Sequence, residues 1–256
     1  MDVTRDDDEI LVKGTKTAFE VLEALGELGE ATLTEVAEQA SVSKPGTYKH
    51  LTTLDRLGYV VKRDDTYALG PRFLRLGSWS RNGMRLFRAA KPKIDELSDA
   101  TPGLTSLLVE DHGRGVYVYR AGDDAYLYQR PEGETVPLHA SAAGKAVLAF
   151  LDESEFERTI DRHGLASVTP NTVTDEAALQ NELQEIREGG VASARGEYME
   201  DWHGVAYPIT RGTDGPVGAV SVSGPVDELT GWTLDEEISG HIVSTVESIE
   251  VELFMD

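Results

Sequence analysis

The chain has 256 residues, enough for one large domain or two modest ones, and 40% of them are hydrophobic, which excludes a disordered polymer. It contains no cysteine, so disulfides, thiolate metal sites and thiol catalysis are excluded, and no apolar run approaches the about 18 residues of a membrane span. Its 46 acidic against 24 basic side chains leave a formal charge of −22, and the acidic start MDVTRDDDEI is the opposite of a secretory signal, so the expected location is cytoplasmic.

Residues 1–12 read as an N-terminal arm. From Thr17 onward, Phe19, Leu22, Leu25 and Leu28 recur at helical spacing until Gly29. Thr34 is placed to cap a short second helix with Val36, Ala37 and Ala40 inward. After the turn Ala40-Ser41-Val42, Ser43 caps a third helix whose inward stripe is Leu51, Leu54 and Leu57, and Gly58 stops it. Residues 59–62 and 66–69 are β-prone pieces around the turn pair Asp64-Asp65. Helix, helix, turn, helix and hairpin is the order of a winged helix-turn-helix, predicted over residues 13–70.

Gly70-Pro71 breaks the chain, and residues 71–90 read as a linker of one or two helices. Lys91-Pro92 opens another helix that reaches Ala100 and closes at Thr101-Pro102-Gly103. The texture then alternates: LTSLLVE, VYVYRA and DAYLYQR read as antiparallel strands, which places Tyr117, Tyr119, Tyr126 and Tyr128 at alternating positions. Those tyrosines fit sheet packing better than an aromatic cage. Residues 142–162 and 175–188 are helical, and GVAYPIT and GAVSVSG are strands joined by Thr213-Asp214-Gly215. A last helix opens with a capping box from Thr233 to Glu236 and carries Ile238, Ile242, Val246 and Ile249 inward. Residues 91–256 therefore form a second, α+β domain with a mainly antiparallel sheet and helices packed on it.

The charge is not spread evenly. Residues 1–82 hold 14 acids and 11 bases, a net of −3, whereas residues 83–256 hold 32 and 13, a net of −19. The window 41–63 sets Lys44, Lys49, Arg56, Lys62 and Arg63 against Asp55 alone, a net of +4. Only 8 of the 24 bases are lysine. A diffuse acidic surface poor in lysine fits a salt-accumulating cytoplasm, as in a halophilic archaeon. Binding of basic partners is the weaker reading, because no acidic run is long or localised.

The basic window falls on SVSKPGTYKHL and the hairpin after it. A recognition helix enters the major groove N-terminus first, with the wing along the backbone. Lys44, Lys49, Lys62 and Arg63, together with backbone N–H groups at the helix start, then meet phosphates. Tyr48 and His50 reach either base edges or sugar-phosphate. The plain alternative is a solvated helix and hairpin serving protein contacts. Elsewhere the chemistry is sparse. The six histidines, His50, His112, His139, His163, His203 and His241, include no pair at helix-ligand spacing, and GxSxG is absent. AGKA is not a phosphate loop: His139 stands five before Gly144, and Ala146 follows Lys145. No metal, cofactor or catalytic residue is expected. The turn into a helix near Ala142–Gly144 offers N–H groups suited to a carboxylate, with a tightly packed helix start as the bland alternative.

SKPGTYKHLTTLDRLGYV resembles the N-terminal domain of the IclR family of transcriptional regulators, with Lys49 at the family's arginine and Pro45-Gly46 replacing Ser-Thr. PLHASAAGKAVLAFL and HGVAYPITRGTDGPVGAVSVSGP resemble that family's C-terminal motifs, although Gly204 stands where many relatives have cysteine. The resemblance implies a winged helix-turn-helix, a helical linker and a GAF/profilin-like ligand-sensing domain. The DNA-binding candidates are Ser43, Lys44, Gly46, Thr47, Tyr48, Lys49, His50, Lys62 and Arg63. The effector candidates are His139, Ala140, Ser141, Ala142, Ala143, Gly144, Glu197, Ser221 and Ser223, where Glu197 reads equally as a solvated loop carboxylate. The implied partners are double-stranded DNA, a small organic or aromatic acid, and further copies of the chain in a homodimer or homotetramer, with no membrane. Two competing readings are a regulator without ligand control and a small-acid enzyme fused to a winged helix. The enzyme would need convergent acid, base or nucleophile groups, and none stands out.

Overall fold

A computed structural model describes residues 12–211, 215–229 and 237–254, which fall into two units, Asp2–Gly83 and Met84–Asp256. In the first, helix α1 (Lys13–Leu28) buries Val21, Leu22, Ala24 and Leu25. Phe19 and Leu28, expected inward, are exposed: Leu22 and Leu25 belong to both stripes, but Val21 and Ala24 complete the buried one. A short strand β1 (Glu30–Thr32), not foreseen, leads into α2 (Leu33–Gln39). The cap of α2 is Thr32 and not Thr34. Thr32 Oγ1 accepts from the Glu35 N–H at 3.4 Å, and the Glu35 carboxylate accepts from the Thr32 N–H at 2.8 Å. The residue three after Thr34 is Ala37, which cannot close such a reciprocal box.

Helix α3 (Lys44–Arg56) starts where Ser43 Oγ accepts from the Gly46 N–H at 3.3 Å, with Pro45 in the first turn. It buries Leu51 and Leu54, while Leu57 caps its end and is exposed. Strands β2 (Val60–Arg63) and β3 (Thr66–Leu69) form the hairpin, and β1 adds on the far side of β3 to give the order β1-β3-β2. Val21, Leu25, Val36, Leu51 and Val60 make the small core beneath it. In α4 (Arg72–Gly83), the Arg72 guanidinium donates to the Leu57 carbonyl at the C-terminal end of α3 and lies 5.3 Å from the Tyr59 ring.

The second unit opens with α5 (Arg85–Ala100), which runs unbroken through Pro92 where two helices were expected to meet. An internal proline costs about 3 kcal/mol, but the stripe Leu86, Ala90, Ile94 and Leu97 buries enough apolar surface to hold the helix together. The sheet has the order β6-β5-β4-β9-β8-β7, all neighbours antiparallel, from β4 (Leu104–Asp111), β5 (Arg114–Ala121), β6 (Thr135–Pro137), β7 (Ala192–Arg195), β8 (Trp202–Thr210) and β9 (Pro216–Pro225). Its side chains alternate. Val205, Val220 and Val222 pack with α5 and α11 (Ser239–Phe254). Ala206 and Ala219 pack on the other face with α7 (Ala142–Leu148), α8 (Glu153–His163) and α9 (Glu176–Gly189). The unit is thus helix, antiparallel sheet and helix in three layers.

Three local expectations change. DAYLYQR is not a strand but α6 (Asp124–Gln129), because Asp123 Oδ1 accepts from the Ala125 N–H at 2.8 Å and starts a helix in spite of the alternation. The span 142–162 is two helices, α7 and α8, the second capped by Asp152, which accepts from the Glu155 N–H at 2.8 Å. Between β4 and β5 the pairing jumps from Leu107↔Tyr119 to Leu108↔Tyr117, so Val118 is an extra, bulged residue. Tyr117 and Tyr119 consequently face opposite layers, one with α7 and the other against Phe87 of α5 at 5.6 Å. A four-residue helix, α10 (Val226–Leu229), follows β9. Ile238, Ile242, Val246 and Ile249 are buried as expected. The capping box at 233–236, the turn residues Thr213 and Asp214, and residues 1–11 of the arm lie outside the described residues. Among the described residues no helix is long and apolar enough to cross a membrane.

Candidate nucleic-acid interface and ligand recess

Helix α3 presents Ser43, Lys44, Tyr48 and Lys49 to solvent, with Gly46 and His50 half-buried. Thr47 departs from this set. It is 0% exposed and donates its hydroxyl to the Ser43 carbonyl at 3.2 Å, because positions 47, 51 and 54 share the inward face. Lys62 and Arg63 are exposed at the end of β2, where Arg63 Nη1 lies 3.4 Å from the Glu30 carboxylate and Lys62 Nζ lies 5.7 Å from the Tyr67 ring. A Cβ on Gly46 would lie 3.1 Å from Ser43 Oγ and 3.2 Å from Val42 Cγ1, so glycine there leaves the cap undisturbed. The basic surface extends beyond the window 41–63: α4 carries Arg72, Arg75 and Arg81 and no acid, with the Arg75 guanidinium 4.2 Å from the Trp79 ring.

In the second unit, a recess of about 430 Å³, its mouth included, lies over β8 and β9 beside the start of α7. Ser221 and Ser223 of β9 stand opposite Ala206 and Gly204 of β8 in the register. Of the nine effector candidates, Ala140, Ser141, Ala142, Ala143, Glu197, Ser221 and Ser223 line this recess. His139 and Gly144 do not. A Cβ on Gly144 would stand 2.2 Å from the Leu138 carbonyl oxygen, so this glycine serves close backbone packing. Its N–H is also occupied, donating to Ser141 Oγ at 3.1 Å, which removes one of the groups expected to greet a carboxylate. His139 is buried with Nε2 3.0 Å from the Ala166 carbonyl. Burial pushes its pKa down, so the ring is neutral and donates there.

The charged part of the recess was mostly unforeseen. Lys145, 1% exposed on α7, places Nζ 2.6 and 2.8 Å from the two oxygens of Glu197 and 2.6 Å from Glu182 of α9. Burial pushes the Glu197 carboxyl up, and the Lys145 ammonium opposes it. The Glu197 backbone is fixed from behind, its carbonyl accepting from the Thr172 hydroxyl at 2.7 Å while Thr169 donates to the Gly196 carbonyl at 2.6 Å. In a second charged group, Arg130, which lines the recess, donates from Nε to Glu134 Oε2 at 3.1 Å, and the buried Arg120 Nη2 reaches the same oxygen at 2.7 Å. Arg130 also faces the Tyr198 ring at 4.9 Å and the Trp202 ring at 5.6 Å. A signal for Lys145 was present in the sequence: AAGKAVLAF is a helix without a polar face, and a lysine there needs a buried partner. Arg130 carried no such signal, since it is the last residue of a segment read as a strand.

Known proteins share both units. Residues 17–64 match the family model described as the IclR helix-turn-helix domain, and residues 80–251 match that of the bacterial transcriptional regulator IclR C-terminal domain. The "Probable HTH-type transcriptional regulator ArcR" of Halobacterium salinarum is 30% identical over 92% of each chain. An IclR from Thermotoga maritima superposes with a TM-score of 0.74 at 28% identity, covering 94% of this chain and 98% of its own. An IclR homologue of Microbacterium hydrocarbonoxydans, solved as a complex with 4-hydroxybenzoate, shares the fold with a TM-score of 0.80 at 22% identity, over 95% of this chain and 100% of that one.

Proposed function

The chain belongs to the IclR family of transcriptional regulators, and from that premise we propose that it reads operator DNA through α3 and the β2–β3 wing under the control of a small acid held in the recess over β8 and β9. What supports the reading head is one observation. In a chain of charge −22, the capped start of α3 exposes Lys44, Tyr48 and Lys49 together. Lysines at a helix N-terminus meet phosphates, and the aromatic and polar side chains beside them meet base edges. A single helix buries too little for tight binding, so the operator-bound form is a homodimer or homotetramer reading paired half-sites. The effector reading rests on the concave, partly polar lining and on the 4-hydroxybenzoate seen in the Microbacterium protein. Effector binding shifts the population between arrangements of the DNA-binding units, provided the ligand prefers one. The Halobacterium relative carries a regulator name over 92% of the chain, and we infer that no chemistry is performed on the bound acid. The place of action is the cytoplasm, and the acid-rich composition fits a halophilic archaeal host.

The test of the reading head is charge reversal. DNA fragments are recovered by genome-wide binding of the wild type, and the affinity of Lys44→Glu/Lys49→Glu for them is measured at moderate salt. A loss of at least tenfold is expected. Unchanged affinity would place the interface elsewhere. For the recess, Ser221→Leu or Ala142→Trp is expected to abolish the effector response with DNA binding intact. Loss of both functions together would indicate misfolding instead.

A further inference from the structure

We propose that the recess selects a small hydroxy acid, its carboxylate held at Arg130 and its hydroxyls donating to Glu197 and to Ser221 and Ser223. The proposal rests on, and deepens, the reading of this recess as the effector site. Two charged groups border it. In one, two guanidinium groups, Arg130 and Arg120, share a single carboxylate oxygen of Glu134, at 3.1 and 2.7 Å, while Glu134 Oε1 accepts from the Tyr198 hydroxyl at 3.2 Å. Arg120 is 4% exposed, and its Nε and Nη1 have no hydrogen-bond partner among the described residues. Its guanidinium lies 4.0 Å from the ring of Tyr117, which lines the recess. One carboxylate thus answers two cations, the buried Arg120 and the half-buried Arg130, and Arg130, which itself lines the recess, has donors beyond the Nε bound to Glu134 and the Nη1 set against Met199 Sδ. An anion beside Arg130 restores the balance, and guanidinium pairs carboxylates with directed hydrogen bonds.

The group around Glu197 accepts. An ionised Glu197 offers about four lone-pair positions and no donor; it shares the Lys145 ammonium with Glu182, 2.6 Å from each, but the Glu182 side chain is 41% exposed and screened by water, so Lys145 answers chiefly Glu197. A neutral hydroxyl suits the remaining positions. An ammonium would set a second cation beside Lys145. A plain aliphatic acid, once it displaced water, would leave Glu197 and the two serines short of partners, and such loss discriminates strongly between analogues.

Four three-carbon probes separate these features: glycerate, propionate, glycerol and L-serine, with gluconate, hexanoate and sorbitol as a six-carbon set. Titration calorimetry on the full-length chain is expected to show glycerate or gluconate binding at least tenfold more tightly than its unhydroxylated acid, its polyol or L-serine. Arg130→Gln is expected to weaken that hydroxy acid at least tenfold and to bring the acid and its polyol to similar affinity, a convergence that loss of packing alone would not produce. Equal binding of the unhydroxylated acid, tighter binding of L-serine, undiminished binding by Arg130→Gln, or binding of none of the seven overturns the proposal. Ala142→Trp, which fills the recess, tells the two readings apart. If it abolishes binding of whichever probe binds wild type, the site stands even when the selectivity does not. If binding survives that filling, the effector-site reading itself fails.

Discussion

Gly144 shows how one residue type can be read correctly as special and wrongly as functional. Its position before Lys145 at a helix start suggested a ligand contact. The carbonyl of Leu138, 2.2 Å from where a Cβ would stand, shows that the constraint is backbone approach. Gly144→Ala is therefore expected to destabilise the second unit by about 2–3 kcal/mol through overpacking, read as a lower urea midpoint with an unchanged slope. A midpoint equal to wild type would mean that the 3₁₀ turn at Leu138–Ala140 yields. His139 makes a separate prediction at this scale. Its folded pKa lies below the ordinary value because burial, and then the nearby Lys145 and Arg114, disfavour the cation. A depressed histidine contributes stability that is present above the unfolded pKa of about 6.5 and is lost as pH falls from there through the folded pKa. Between pH values of roughly 7 and 5, wild type should lose thermal stability more steeply than His139→Gln, whose amide can still donate to Ala166. Parallel curves for the two proteins would mean that His139 does not titrate in that window.

At the scale of elements, the sequence was most legible where local chemistry and burial agree. Ser43 with Leu51 and Leu54 specified α3, and the 3.6-residue period specified α9 and α11. It was least legible where a tertiary partner decides. Strands β1, β6 and β7 are three or four residues long and exist through pairing with β3, β5 and β8. The bulge at Val118, which turns Tyr117 toward the recess and Tyr119 away, has no period-two signature. The serines of β9 and the turn before α7 were legible as pocket walls because strand alternation and small residues mark them. Arg130, Tyr198 and Trp202 were not: Arg130 closes a stretch whose alternation suggested a strand but which folds as α6, Tyr198 lies between β7 and β8, and Trp202 is only the first residue of β8. Helix α7 offers the sharpest test of its own packing. Lys145→Met leaves Glu197 buried without its cation, and removing one partner of a buried pair costs about 3–5 kcal/mol. Adding Glu197→Gln should recover a good part of that loss. A double mutant no more stable than Lys145→Met alone would show that the lysine acts through packing or through Glu182, and not through the carboxylate in the recess.

For the whole molecule the question is how a chain of charge −22 folds and also approaches a polyanion. Residues 83–256 carry −19 of that charge, and densely placed carboxylates repel one another across distances that the Debye length controls. That length falls from about 10 Å at 0.1 M salt to about 3 Å at 1 M. If screening relieves roughly 2 kcal/mol of repulsion, the melting temperature of a unit this size rises by about 4–8 °C. The expected result is therefore a melting temperature that climbs between roughly 0.2 and 2 M KCl, the behaviour of a protein suited to a salt-rich cytoplasm. DNA binding must respond in the opposite sense, because releasing counterions from phosphates becomes less favourable as salt rises. Among the described residues, Lys44, Lys49 and Lys62 are the cations of the proposed reading face not engaged with a carboxylate in the way Arg63 is with Glu30. Three phosphate contacts per subunit correspond to a slope of about −2.7 in log affinity against log salt. Lys44→Glu/Lys49→Glu should flatten that slope by about 2 per subunit. A melting temperature that is flat or falling over the same KCl range would remove the halophile reading and leave the acidic composition without a solvent-based cause, whatever the DNA slope turned out to be.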